Sequence, residues 1–424
     1  ALQMHKEWNG KLETTAKAHV NSREDLAIAY TPGVAEPCKE IKENKDLSFE
    51  YTCRGNMVAI VSDGTRVLGL GDIGPEAAMP VMEGKAALFK TFGDVDAVPI
   101  CIDTKDPAKI IETVRFLQPS FAGINLEDIS SPKCYDIECE LKKICDIPVF
   151  HDDQHGTAIA CLAAVIGALR FVKKDMKTAK FVVNGCGAAG SAIGRLLISM
   201  GAENVTMVDR FGALYEGIDA NLDRIQSYLA TGTLADIAKG ADVLIGVSAP
   251  NVFTKEIIAS MADKAIVFAL ANPVPETSYA DAIEAGAAVA GTGRSDSPNQ
   301  VNNVTVFPGV FRGAIDVRAK AITEEMKVAA VYAISELIDE KDLRADYVVP
   351  DAFDPRVAPA VAAAVARVAM ETGIARIKVD PEEVRANTMK RVLLLPAGRA
   401  AGKIKSIYRH RRISFGAGNI DDYR

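Results

Sequence analysis

Residues 180–210 read KFVVNGCGAAGSAIGRLLISMGAENVTMVDR. An apolar strand-like run is followed by a glycine turn, a segment of helical period, and a second strand ending in Asp209. Gly185, Gly187 and Gly190 have G-x-G-x-x-G spacing. The first glycine permits a tight turn, the second lets backbone approach a pyrophosphate, and the third lets the helix pack closely on the strand. The phosphate charge would lie at the positive end of the helix that begins near Ala188. An ordinary packed turn is the alternative, because the spacing alone is a weak signal. Its setting favours a dinucleotide: Asp209 lies about 20 residues beyond the turn, where a carboxylate can hold the ribose hydroxyls of NAD. Arg210 follows at once and can pair with a 2′-phosphate instead. The pair leans towards NAD and leaves NADP open.

Working outward, ADVLIGVSA, AIVFALANP and AAVAGTG read as further strands of the same sheet. Residues 319–339 and 356–373 read as helices. On the N-terminal side, MVAIVSDGTRVLGLG suggests two strands around a turn at Asp63-Gly64. DAVPICID is a strand, KIIETVRFL a helix, FAGINL a strand, 133–143 a helix, and IPVFHDD a strand. HGTAIACLAAVIGALRFV then reads as one apolar helix. Alternation of this kind implies an α/β protein with largely parallel sheets, the second a doubly wound Rossmann-type domain. The expected domains are 1–155, 156–376, and a basic, then polar, tail at 377–424.

With 49% hydrophobic and 25% charged residues, the chain has the composition of an ordinary globular protein. Its net charge of −7 argues against nucleic acid as a partner. No apolar run approaches the roughly 18 or more residues that cross a bilayer, so no membrane partner is expected. ALQMHKEWNGKLE has no signal-peptide core. The eight cysteines include no CxxC pair and read as buried thiols of a reducing, cytoplasmic protein.

Two pairs of acids end apolar runs: Glu127-Asp128 after FAGINL and Asp152-Asp153 after IPVFH. Carboxylates at strand ends are costly to bury unless a cation or base meets them. Together they suggest oxygen ligands for one hard divalent metal. Helix capping is the competing account. Lys85 stands among small and apolar neighbours, where desolvation would lower its pKa and suit a general base. The competing account is a lysine that snorkels to solvent. Tyr30, Arg66, Asn272 and Asn303 are further polar residues in apolar settings, and asparagines at such places are often turn residues.

The blocks AYTPGVAEP, DGTRVLGLGDIGPEAAMPVMEGKAALF, NLEDI, VFHDDQHGTA, GCGAAG, LANPVPE and TGRSDSPNQVNNVTVFPG together resemble the malic enzyme family, in its order and spacing. The resemblance runs from about Asn21 to about Gly373. It is to the compact prokaryotic-type form, without the longer N-terminal segment of some members or the acyltransferase domain of others. It implies an N-terminal substrate and metal domain ahead of the NAD(P)-binding domain, with L-malate, NAD or NADP, and Mg²⁺ or Mn²⁺. By this resemblance Tyr30 is the general acid and Lys85 the general base. Glu127, Asp128 and Asp153 are the metal ligands, with Asp152 beside them. Arg66 holds a substrate carboxylate, and Asn272 and Asn303 lie between nicotinamide and substrate. Gly185, Cys186, Gly187, Ala188, Ala189 and Gly190 form the phosphate-binding turn, with Asp209 or Arg210 at the ribose. A homodimer or homotetramer is expected.

Two other readings share these features. A metal-independent 2-hydroxy acid dehydrogenase would use the same cofactor turn. A non-catalytic nucleotide sensor on the same scaffold would lack one of the acid, base or metal residues, and all are present.

Overall fold

The apolar runs form two parallel sheets, each feeding its strand ends into helices. The computed structural model describes residues 1–209, 212–213 and 232–394. In the first sheet β1 (Met57–Ser62), β2 (Asp96–Cys101), β3 (Gly123–Leu126) and β4 (Val149–His151) lie in the order β2-β1-β3-β4, all parallel. The second contains β5 (Lys180–Asn184), β6 (Asn204–Asp209), β7 (Gly212–Ala213), β8 (Val243–Gly246), β9 (Ile266–Ala269) and β10 (Val289–Thr292). Their order is β10-β9-β8-β5-β6-β7, parallel except for β7. The chain reverses direction across each sheet beside its first strand, between β1 and β3 and between β5 and β8. Ligands bind such sheets in the crevice outside the strands' carboxyl ends at this point.

The helix Asp152–Val172 leaves β4 and leads to β5, so it joins the two sheets. It corrects one sequence expectation: the helix has 21 residues, and an 18-residue window of it has a mean hydropathy of 1.7, long and apolar enough to cross a membrane by composition. Here 83% of that apolar window is buried inside the protein. Leu162, Val165 and Leu169 pack in one core with Phe307, Phe311, Val331 and Val361 from later helices. Gly167 is required in this packing, because a Cβ there would sit 1.9 Å from the Val348 carbonyl.

Three other expectations change. VLGLG is not a second strand: β1 is already paired on both sides, by β2 and β3. Residues 63–74 instead close a loop through a Val67–Gly71 bridge, with Leu68 and Gly71 at positive φ. Residues 381–394, placed by sequence in the tail, form the helix Pro381–Leu394, which packs on the helix Val357–Glu371 and buries Val384 and Thr388. The rest of the tail, 395–424, lies outside the described residues. Of the cysteines, only Cys134 and Cys161 are buried, while Cys38, Cys53 and Cys139 are exposed.

Candidate active site

Glu127 and Asp128 follow β3, and Asp152 and Asp153 begin the helix after β4, so adjacent parallel strands deliver all four acids to one end of the first sheet. Carboxylate oxygens of Glu127, Asp128 and Asp153 lie within 4.8 Å of one another. Backbone holds them there. The Glu127 amide donates to Val61 O, the Arg66 amide to Asp128 O, and the Asp128 amide to Asp153 Oδ2 at 2.8 Å. Asp128 sits at φ 54°. Its carboxyl is pushed up to about 9 by burial and by the charges of Asp153 and Glu127, and its Oδ2 is buried with no hydrogen-bond partner among the described residues. Capping alone does not explain such an arrangement, because a capping carboxylate is satisfied by amides.

Lys85 comes from the helix Pro75–Gly93 and is 7% exposed. Its Nζ donates to Glu127 Oε1 at 3.0 Å and to Asp152 Oδ2, which also accepts from Asn303 Nδ2. Phe307 lies under the ammonium, 4.0 Å from it to the ring centroid. Desolvation was expected to lower the pKa of Lys85. Burial does oppose the charge, but Asp152 and Glu127 outweigh it and hold the lysine protonated. Asp152 is fully buried, and burial raises its carboxyl to about 6. Arg66 is exposed, with its charge acting on Asp128. Asn272 is exposed beside Gly293.

Tyr30 is not buried with these groups. It ends the short helix Arg23–Ala29 and is 67% exposed. No residue before Val58 is buried, so among the described residues nothing encloses this segment against the site.

The glycine turn follows β5. Gly185 has φ 111°, and a Cβ there would lie 2.7 Å from Val247 O, at the end of β8. Gly187 faces open space and caps the helix Ala188–Ser199. A Cβ on Gly190 would meet Gly185 O at 1.8 Å. These are the tight-turn, open-approach and close-packing roles in sequence order. Cys186 donates its thiol to Val208 O, and burial together with the charge of Asp209 pushes that thiol up to about 12. Asp209 ends β6, next to the turn. Arg210 lies outside the described residues. Gly190→Ala is therefore expected to abolish dinucleotide binding, measured by fluorescence titration with NADH and NADPH.

The malic enzyme N-terminal domain model matches residues 9–142, and the malic enzyme NAD binding domain model matches residues 154–370. The chain belongs to the malic enzyme family. A Bacillus subtilis protein named bifunctional malic/malolactic enzyme is 56% identical over 402 residues, covering 93% of this chain and 98% of its own length. The NAD-dependent malic enzyme of Geobacillus stearothermophilus is 50% identical over 374 residues, 87% of this chain and 78% of that one. The crystal structure of a malic enzyme from Pyrococcus horikoshii superposes with a TM-score of 0.88 at 42% identity, over 97% of this chain and all (100%) of that one.

In this malic enzyme several site residues carry no sequence signal. Phe307 reads as ordinary core. Glu276 is fully buried and ties the ends of β8 and β9, accepting the Ser248 amide at 2.7 Å and the Ala271 amide at 3.0 Å. Only the proximity of VPE to the asparagine turn hinted at it. Glu138 and Lys327, both buried charges, sit at unremarkable helical positions.

Proposed function

We propose that this malic enzyme oxidatively decarboxylates L-malate to pyruvate and carbon dioxide, reducing NAD or NADP, with Mg²⁺ or Mn²⁺ on Glu127, Asp128 and Asp153. The supporting observation is the group of three carboxylates within 4.8 Å of one another, beside a buried lysine. A hard dication suits this all-oxygen set and relieves the repulsion recorded by the raised Asp128 carboxyl. When bound, the cation would polarise malate's 2-hydroxyl and stabilise enolate charge, and the nicotinamide would accept the hydride.

The chain's own residues do the rest. Lys85 Nζ takes the 2-hydroxyl proton as hydride leaves C2. Glu127, one of the two carboxylates that hold Lys85 protonated, is also a cation ligand. With its charge shared, Lys85 can work as a base. The resulting oxaloacetate has its 4-carboxylate β to a carbonyl, so the C3–C4 bond breaks to give carbon dioxide and an enolate. Tyr30 protonates C3 to complete pyruvate. Arg66 pairs with a substrate carboxylate in a fork that lysine cannot reproduce. Asn303 holds Asp152, and Asn272 borders the nicotinamide. Asp209 supports the lean towards NAD.

The exposed apolar side chains of Leu2, Trp8, Leu12, Ile28 and Tyr30 favour a second copy of the chain as their cover, in a homodimer or homotetramer. Tyr30 would act within that assembly. Light scattering that returns a monomer at working concentration would overturn it. Tyr30→Phe should keep reduction of added oxaloacetate while losing pyruvate formation from malate. Equal loss of both would remove it as the C3 acid.

The deciding assay follows reduced-cofactor absorbance with L-malate, Mn²⁺ and either cofactor, with and without EDTA, with pyruvate and lactate measured alongside. Metal-dependent reduced cofactor matched one-to-one by pyruvate is the expected result. Reduced cofactor without pyruvate means a simple dehydrogenase, and nucleotide binding without turnover means a sensor. The name of the Bacillus subtilis relative is the reason to assay lactate.

A further inference from the structure

Glu138, on the helix Lys133–Ile144, is a carboxylate 5% exposed that takes no part in the chemistry above. It accepts the His151 backbone N–H at 3.2 Å, the Gln154 amide at 3.2 Å and His155 Nε2–H at 2.8 Å. Lys142, on its own helix, pairs with it at 2.7 Å. The three donors from outside that helix all belong to residues 151–155, the segment that carries Asp152 and Asp153. On its far side His155 Nδ1 accepts from Lys327 Nζ at 3.0 Å, and Lys327 pairs with Glu324 at 2.5 Å. A lysine donating to Nδ1 leaves His155 its proton on Nε2, pointed at Glu138. Gln154 Oε1 accepts from Arg195 at 3.3 Å, on the helix that follows the glycine turn.

We propose that Glu138 is a positioning residue for the cation site: by holding the His151 amide and the side chains of Gln154 and His155, it sets the direction in which Asp152 and Asp153 leave β4. The assignment rests on the reading of Glu127, Asp128 and Asp153 as cation ligands. Its physical basis is that every partner of Glu138 is a donor, so only an ionised carboxylate satisfies them all. Asp153 has no such holding contact on its own helix. Its carboxylate reaches the Asp128 amide across the strand ends, and His151 Nε2 stands 3.5 Å away. An error of a few tenths of an ångström at the start of this helix would therefore move a ligand oxygen directly.

Glu138→Gln keeps size and shape but turns an amide N–H₂ towards the donors of His155 or Gln154. It should weaken Mn²⁺ binding by about 10–100-fold, the range seen when groups that orient metal ligands are lost. Binding is read from free Mn²⁺ by electron paramagnetic resonance with no substrate present. KM for malate should rise with it, while NADH affinity, read by fluorescence, stays unchanged. Gln154→Met removes one donor without touching Glu138 and should weaken Mn²⁺ in the same direction by less, which serves if the first variant does not fold. Wild-type Mn²⁺ affinity in Glu138→Gln, or parallel loss of Mn²⁺ and NADH binding as in general destabilisation, overturns the assignment. A wild-type protein that binds no Mn²⁺ overturns the cation reading itself, a different failure.

Discussion

Lys85→Ala is expected to lower kcat for malate oxidation by about 10²–10⁴-fold, the usual contribution of a positioned base. Nζ lies against Glu127 and Asp152 at the acid cluster, so the proposed proton acceptor is lost while the carboxylates stay. Removing the ammonium also leaves two buried carboxylates without their countercharge, so Mn²⁺ binding should not weaken. Reduced kcat with intact Mn²⁺ and NADH affinity separates a chemical role from a structural one. Lys85→Arg should fail equally, because a guanidinium does not give up its proton at working pH. An alanine variant within about tenfold of wild type would remove Lys85 from the role of base.

Asp153→Ala should cost more in binding than any change outside the ligand set: Mn²⁺ affinity falls by more than about 100-fold, beyond the effect of losing a ligand-orienting group. Unchanged affinity would remove Asp153 from the set. The same experiment carries a pH signature. The Asp128 carboxyl, raised to about 9 from an ordinary 3.8, keeps its proton at neutral pH in the metal-free site. A cation must displace that proton, so Mn²⁺ binding tightens as pH rises towards about 9 and levels off above it. Calorimetry in buffers of different ionisation enthalpy would count the proton released. The sign for stability is opposite. The metal-free fold holds a proton that the unfolded chain gives up, so it loses stability as pH climbs from about 3.8 to about 9. In Asp153→Ala one of the like charges raising Asp128 is gone, and the pH dependence should move to lower pH.

The cofactor turn was legible because each glycine is demanded locally: one by a positive φ, one by open approach, one by a carbonyl 1.8 Å from where a Cβ would stand. The acids were legible because charge at the end of an apolar run is costly wherever the strand lies. The VLGLG run misled, since strand pairing depends on which edges of β1 remain free, and none did. Lys85 misled in sign for a related reason. Its neighbours in sequence are apolar, whereas its neighbours in space are Glu127 and Asp152.

The order of strands and helices, the glycine turn and the identities of the four acids thus follow from local pattern, because periodicity and charge act within a few residues along the chain. Convergence is a different matter. That acids from two strands meet within 4.8 Å, that Lys85 from a distant helix is held protonated between two of them, and that Glu138 lies beneath their shared segment all depend on the order β2-β1-β3-β4. Tyr30, exposed on a segment with no buried residue, shows the same limit one level higher. Hydrogen bonds act only at contact and Coulomb terms between exposed charges are screened over about 10 Å of space, and only the packed chain decides which charges come that close.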